Sequence, residues 1–290
     1  MIFLLLSILT STCLVLIFKI FELFKINIFQ AIVFNYLVAT SVGVFFTGTA
    51  TYFDAHTSHN YMAWAAFQGS LFIGLFVIIG ITTQTMGVAV ASVASKMALV
   101  MPVLMGVFLY AEPLSATKIM GLLLALVAVL LCSIKPTHGA TTPEKAGKNW
   151  TYPLIIFVGS GIADSLVGFA QKKILLPNQA AAYTTLTFAS AASIGTAYLC
   201  YLLLTKKQIF EPKNLIAGIG LGIVNYFSLF CLLQALKLSK MGSAGIFAIN
   251  NVGIVLFSSL CAYLFFKEKL SKLNLLGVFL AISAIALTVF

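Results

Sequence analysis

The chain has 290 residues, of which 61% are hydrophobic and 8% charged, and it carries a net charge of +10. Soluble globular domains carry about 25% charged residues, so a soluble class is excluded. Apolar segments between charges reach 17 to 25 residues, enough for a helix to cross about 30 Å of hydrocarbon. Long unbroken apolar runs also exclude a membrane β-barrel, whose strands alternate apolar and polar residues. All 17 cationic residues are lysines. Placed at helix ends, they meet headgroups and set topology, so nucleic acid is not an expected partner. Without arginine's planar fork, a dedicated phosphate clamp is disfavoured.

The predicted elements are helices at 1–18, 28–48, 62–86, 88–110, 117–135, 151–171, 180–204, 214–236, 241–265 and 273–290. The first reads as a retained helix, because it lacks a basic leader and a small-residue cleavage site. Cys13, Cys132, Cys200, Cys231 and Cys261 all fall inside apolar segments and read as small buried hydrophobes. Asp54, His56 and His59 read as a solvated loop rather than a metal site, and no cofactor is expected. The longest polar interval, rich in Pro, Gly, Thr and charge, separates a first five-helix repeat (1–135) from a second (151–290) by a linker at 136–150.

The halves share landmarks. Glu112-x-Leu114-Ser115 followed by Gly121 recurs as Glu268-x-Leu270-Ser271 followed by Gly277, and Met86-Gly87 recurs as Met241-Gly242. More weakly, Thr12-Cys13-Leu14-Val15 parallels Asp164-Ser165-Leu166-Val167. An odd number of helices per repeat turns the second copy upside down, which gives an all-α polytopic membrane protein with ten transmembrane helices in two inverted five-helix repeats. In secondary transporters of that plan the substrate site lies near the midplane between the repeats.

With Pro102 and the two Glu-x-Leu-Ser turns, the chain resembles the drug/metabolite transporter (DMT) superfamily, in particular its ten-helix EamA-like transporters. The resemblance implies a multi-pass protein of the bacterial inner (plasma) membrane. Its central cavity would lie among the first four helices of each half, with the fifth and tenth peripheral. Ser258 stands near the repeat position of Pro102, so the proline is not duplicated.

Ionisable residues inside a membrane helix are costly and are functional candidates by default. Two qualify, Lys96 and Asp164. Lys96 lies about 12 Å along its helix from Gly87, and Ser92 shares its face one turn earlier. Asp164 shares a face with Ser160, Gly168 and Gln171; it either offsets the charge of Lys96 and gives it up to a substrate or a coupling proton, forms a structural ion pair with it, or lies at a shallower, solvated position. The repeat position of Lys96 is Asn251 or Val252. Asn250 and Asn251, with Ser243 and Ser258, must face protein or a wet cavity, as must Asn225, Ser228, Asn35 and Gln68. Cavity lining and interhelical hydrogen bonding both satisfy them.

The expected function is secondary active transport, in the export direction, of a small organic metabolite such as an amino acid or carboxylate. It would proceed by alternating access, with proton or ion coupling open. The first helix lacks the carboxylate that the small multidrug members of the superfamily use, which argues against a cationic drug. The alternatives are a passive channel or receptor and an intramembrane enzyme, but all three histidines lie in loops. Eleven lysines follow odd-numbered helices and five follow even-numbered ones. That bias puts both termini outside, whereas the resemblance implies both inside.

Overall fold

The computed structural model describes residues 1–47, 60–86, 88–110, 115–133, 151–176, 178–238, 242–266 and 272–289. The predicted linker, the loop from Asp54 to His59, Gly87, Met241 and the turns at Glu112 and Glu268 lie outside them. All regular structure among the described residues is helical: α1 (Ile2–Leu23), α2 (Ile28–Thr47), α3 (Asn60–Met86), α4 (Val88–Met97), α5 (Val100–Tyr110), α6 (Ala116–Ser133), α7 (Thr151–Phe169), α8 (Ala180–Leu204), α9 (Pro212–Leu238), α10 (Ser243–Phe266) and α11 (Lys272–Val289).

The predicted helix at 88–110 is thus corrected to two helices, α4 and α5. Pro102 has no N–H to offer, and its ring crowds the carbonyl four residues back, at Ala98. That carbonyl is taken instead by the Met101 N–H at 3.0 Å, and the Leu99 N–H turns to the Lys96 carbonyl at 3.3 Å. Both bonds span three residues, so the helix tightens and breaks at Ala98 and Leu99. α1 also runs on to Leu23, through Lys19 and Glu22, beyond its predicted end. The end of α7 widens into a π segment, Ala170–Ile174, closed by the Leu175 N–H donating to the Ala170 carbonyl at 2.8 Å.

Among the described residues, six spans are long and apolar enough to cross a membrane: Ile28–Phe46, Tyr61–Thr82, Thr151–Ile174, Ala180–Leu204, Pro212–Leu238 and Ser243–Phe265. Shorter apolar stretches are Ile2–Phe18, Ala94–Leu109, Ile119–Ala128 and Leu275–Ala284. The outward faces are apolar too. Leu123 and Val127 of α6, Ile216, Ile219 and Ile223 of α9, and Leu275, Phe279 and Ile282 of α11 are exposed. They recur every three to four residues, so each helix offers one whole side to its surroundings. Exposure on this scale suits lipid and not water. It also corrects the reading of the cysteines: Cys231 is buried, but Cys13 and Cys200 are exposed. On a bundle whose exterior is as apolar as its core, apolar context does not predict burial.

The core is built where helices of the two halves cross. α2 lies against α8 and α9, α3 against α7 and α8, α1 against α9 and α10, and α6 against α11. Tyr36, Phe188 and Tyr226, each at most 1% exposed, fill the centre with tilted ring contacts. α2 and α9 approach most closely at Gly218 and Gly222. A Cβ on Gly222 would stand 2.5 Å from the Asn35 carbonyl oxygen, and one on Gly218 2.8 Å from that of Ala31. Small residues at such crossings allow backbones to meet inside a membrane.

The packing is reciprocal when the halves are exchanged helix for helix. The contact of α1 with α9 is matched by that of α3 with α7, and the contact of α1 with α10 by those of α4 and α5 with α7. α2 with α8 and α6 with α11 map onto themselves. At the α6–α11 contact the buried residues are Ala125 and Ala128 on one side and Ala281 and Ala284 on the other. Each alanine has its counterpart 156 positions along, the spacing that separates Glu112 from Glu268.

Candidate functional site

Lys96 occupies the last turn of α4, immediately before the break. Its charge there complements the negative end of the helix. Its Nζ donates to Oδ1 of Asn251 on α10 at 3.2 Å, and the Asn251 Nδ2 donates to its own helix, at the Phe247 carbonyl, at 3.1 Å. The amide is thereby fixed with its oxygen towards the lysine. An ammonium group has three N–H donors; Asn251 takes one, so acceptors on a bound molecule have others to meet.

Asp164 of α7 is the carboxylate whose charge acts on Lys96. The two do not form a contact ion pair; among the described residues the pair within 4.0 Å that is formed joins Lys213 and Glu211 at the surface. The direct Lys96–Asp164 pairing open at sequence level is therefore replaced by a lysine–asparagine contact with the carboxylate nearby. α7 reaches this position because it packs on both α4 and α5. Ser160, one turn before Asp164, donates to Ser95 Oγ at 3.4 Å. Ser92 lies in α4, but its side chain is outside the described set.

The remaining candidates separate into three groups away from Lys96. Asn250 accepts from Ser7 of α1 at 3.0 Å, and Ser228 of α9 shares a 2.6 Å hydrogen bond with Ser11 of α1. Asn225 donates its Nδ2 to Oδ1 of Asn35 at 3.1 Å, at the tight α2–α9 crossing, with both residues buried. Gln68, fully buried, donates Nε2 to the Ala163 carbonyl at 3.2 Å. For these residues interhelical bonding is observed. Gln68 Oε1 and Asn35 Nδ2 stay without a protein partner, which is costly inside hydrocarbon.

Ser7 and Ser11 were not singled out from the sequence. Their signal is the i, i+4 spacing of two hydroxyls within an otherwise apolar helix, with Thr12 beside them. Small hydroxyls of this kind commonly bond their own helix, as Thr10 does to the Leu6 carbonyl at 2.7 Å, so the pattern alone does not announce a contact between helices.

The polar contacts obey the same reciprocity as the packing. Lys96 and Asn251 are 155 positions apart, and the Met86 and Met241 landmarks are separated by the same interval. The Ser7–Asn250 bond of α1 and α10 is approximated by the Ser160–Ser95 bond of α7 and α4: Asn250 and Ser95 are 155 positions apart, as Asn251 and Lys96 are, while Ser160 lies one residue beyond the position that the Thr12–Asp164 spacing gives Ser7. Lys96–Asn251 and the four alanines of α6 and α11 are thus contacts between positions one repeat interval apart.

Comparison with known proteins is consistent with this architecture. An uncharacterised protein of Haemophilus influenzae is 29% identical over 285 residues, covering 96% of this chain and 94% of its own length. A protein crystal structure shares the fold with a TM-score of 0.75 at 13% identity, covering 99% of this chain and 94% of the other. Residues 151–290 match the EamA-like transporter family, whose members are transporters and not enzymes. That family-model match, to the drug/metabolite transporter superfamily, falls on the second half of a multi-pass, membrane-type all-helical chain.

Proposed function

We propose that the protein is a secondary active exporter of a small organic metabolite, an amino acid or carboxylate, working by alternating access between two inverted five-helix repeats in a bacterial inner membrane. Lys96 is the electrostatic anchor of the substrate and Asp164 its counter-charge or protonation site. Asn251 orients the lysine. The carrying observation is a lysine held inside the bundle by a neutral amide while the nearest carboxylate stands off. A lysine neutralised by contact would be structural; this one retains donors and charge for a ligand. Its place at a contact between repeat-related positions and at a helix break supports the reading, because discontinuous helices present backbone dipoles to substrates at the repeat interface. Export rests on the resemblance to the ten-helix exporters. Asn250, Asn225, Ser228, Asn35 and Gln68 belong to the walls of the path in this reading, with Ser92 on the lysine face.

The test is flux in reconstituted vesicles across a panel of amino acids and small carboxylates, with and without a proton gradient. Saturable, gradient-dependent flux that collapses in Lys96→Ala is the expected result. Flux linear in substrate and indifferent to Lys96→Ala would mean a passive pore and would discard the carrier.

A further inference from the structure

The bundle carries a second polar assembly, far in sequence from Lys96, where the α1–α2 turn meets the α8–α9 loop. Asn214 Oδ1 accepts from the Asn27 backbone N–H at 2.9 Å, and its Nδ2 donates to Gln30 Oε1 at 2.9 Å. Gln30 Nε2 in turn donates to the Ile209 carbonyl at 2.7 Å and to Gln208 Oε1 at 3.3 Å. Gln30 and Asn214 are each at most 1% exposed. Beside this clasp lies a cavity of about 190 Å³ lined by Asn27, Ile28, Phe29, Ile32, Val77, Gly80, Ile81 and Gln208. Its wall is aliphatic and aromatic, with amides at one rim. A dry apolar cavity of roughly 150 Å³ is large enough to accept benzene.

The clasp also gathers charge. Lys25 lies two positions before Asn27, and Lys206 and Lys207 immediately precede Gln208, so all three exposed lysines flank the lining residues. None has a carboxylate within ion-pair distance among the described residues, whereas the neighbouring Lys213 is neutralised by Glu211 at 3.0 Å. Among the described residues, Lys25 and Lys206 are also the non-glycine residues with positive φ, 48° and 55°, a conformation that costs free energy and concentrates at functional positions. Tyr201 stacks on Tyr198 and lies under Lys207. Such an aromatic and cationic layer marks headgroup depth.

From this geometry we infer that the junction is a binding site for an anionic phospholipid, with an acyl segment in the cavity and the phosphate met by Lys25, Lys206 and Lys207. Apolar lining next to unpaired cations at headgroup depth selects this ligand over a neutral lipid, which gains nothing from the lysines, and over a soluble phosphate, which gains nothing from the cavity. The inference is independent of what Lys96 binds.

The test is native mass spectrometry of the full-length protein in detergent with phosphatidylglycerol, phosphatidylcholine or glycerol phosphate added. Phosphatidylglycerol should be retained preferentially. Each Lys→Gln change at 25, 206 or 207 should weaken it about fivefold and the triple change on the order of 100-fold. Val77→Phe, which fills the cavity from the opposite side, should weaken phosphatidylglycerol retention with the lysines intact. Equal retention of the two lipids, displacement by glycerol phosphate at equal concentration, or wild-type retention in either variant would overturn the inference. The two variants act through different walls, so failure of one to fold leaves the other as the test.

Discussion

The segment α4–α5 and the helix α10 occupy equivalent places in the two halves and differ in form. One is broken at Ala98 and Leu99, ahead of Pro102; the other runs without interruption from Ser243 to Phe266. The broken one carries a cation and the continuous one an amide at the paired position, and those two side chains touch. Around this mutual contact the two elements differ in a proline, Pro102 against Ser258, and in a charge, Lys96 against Asn251. Shared landmarks describe scaffold; what the halves do not share marks where this protein does something particular to it.

The strongest way to erase the difference is to impose the break on α10. Ser258→Pro removes a hydrogen bond and crowds the carbonyl at Ile254, and should cost about 3 kcal/mol, read as a fall in thermal unfolding temperature in detergent. Tolerance of the proline without loss would show that α10 is already poised to break. Lys96→Ala follows, with saturable flux falling on the order of 100-fold, the usual cost of truncating a desolvated charge contact. Unaltered flux would reduce the charge to a relic.

Asn251→Ala strands the ammonium without its acceptor and should destabilise the protein by about 2 kcal/mol. The exchanged double variant, Lys96→Asn with Asn251→Lys, should recover most of that stability, because a contact between repeat-related positions is indifferent to which half supplies the lysine. No recovery would show the two positions to be inequivalent. The smallest effects are expected at Ser7→Ala and Ser95→Ala, about 0.6 kcal/mol each, the average for polar contacts between membrane helices. A loss well above that at Ser7→Ala would show that its second contact, to the Ser228 carbonyl at 3.3 Å, also stabilises the fold.

Helix positions were legible to within a few residues, since hydrophobic runs bounded by lysines leave little freedom in a membrane. Pro102 was visible, but its consequence was not: a proline in a membrane helix is accommodated as a kink or as a break, and neighbouring packing decides which. Repeat spacing gave Asn251 or Val252 as the counterpart of Lys96, and nothing in the spacing chose between them or required either to touch the lysine. Asn35 and Asn225 illustrate the opposite limit. For each, cavity lining and interhelical bonding were both open, and each satisfies part of the other, because an amide carries its own matching donor and acceptor and sequence does not say which amides meet.

The π segment after α7 bears on how this chain tolerates change in length. A helix that gains one residue while both ends are held can store the surplus only as a wider turn, which is what Ala170–Ile174 does. Removing one residue there would restore ordinary helical bonding while leaving both ends where they are, so Thr151–Phe169 would keep its register and Asp164 its place near Lys96. The segment is a length buffer: a change of one residue in the chain after α7 is taken up in its turn and does not reach the two intramembrane charges.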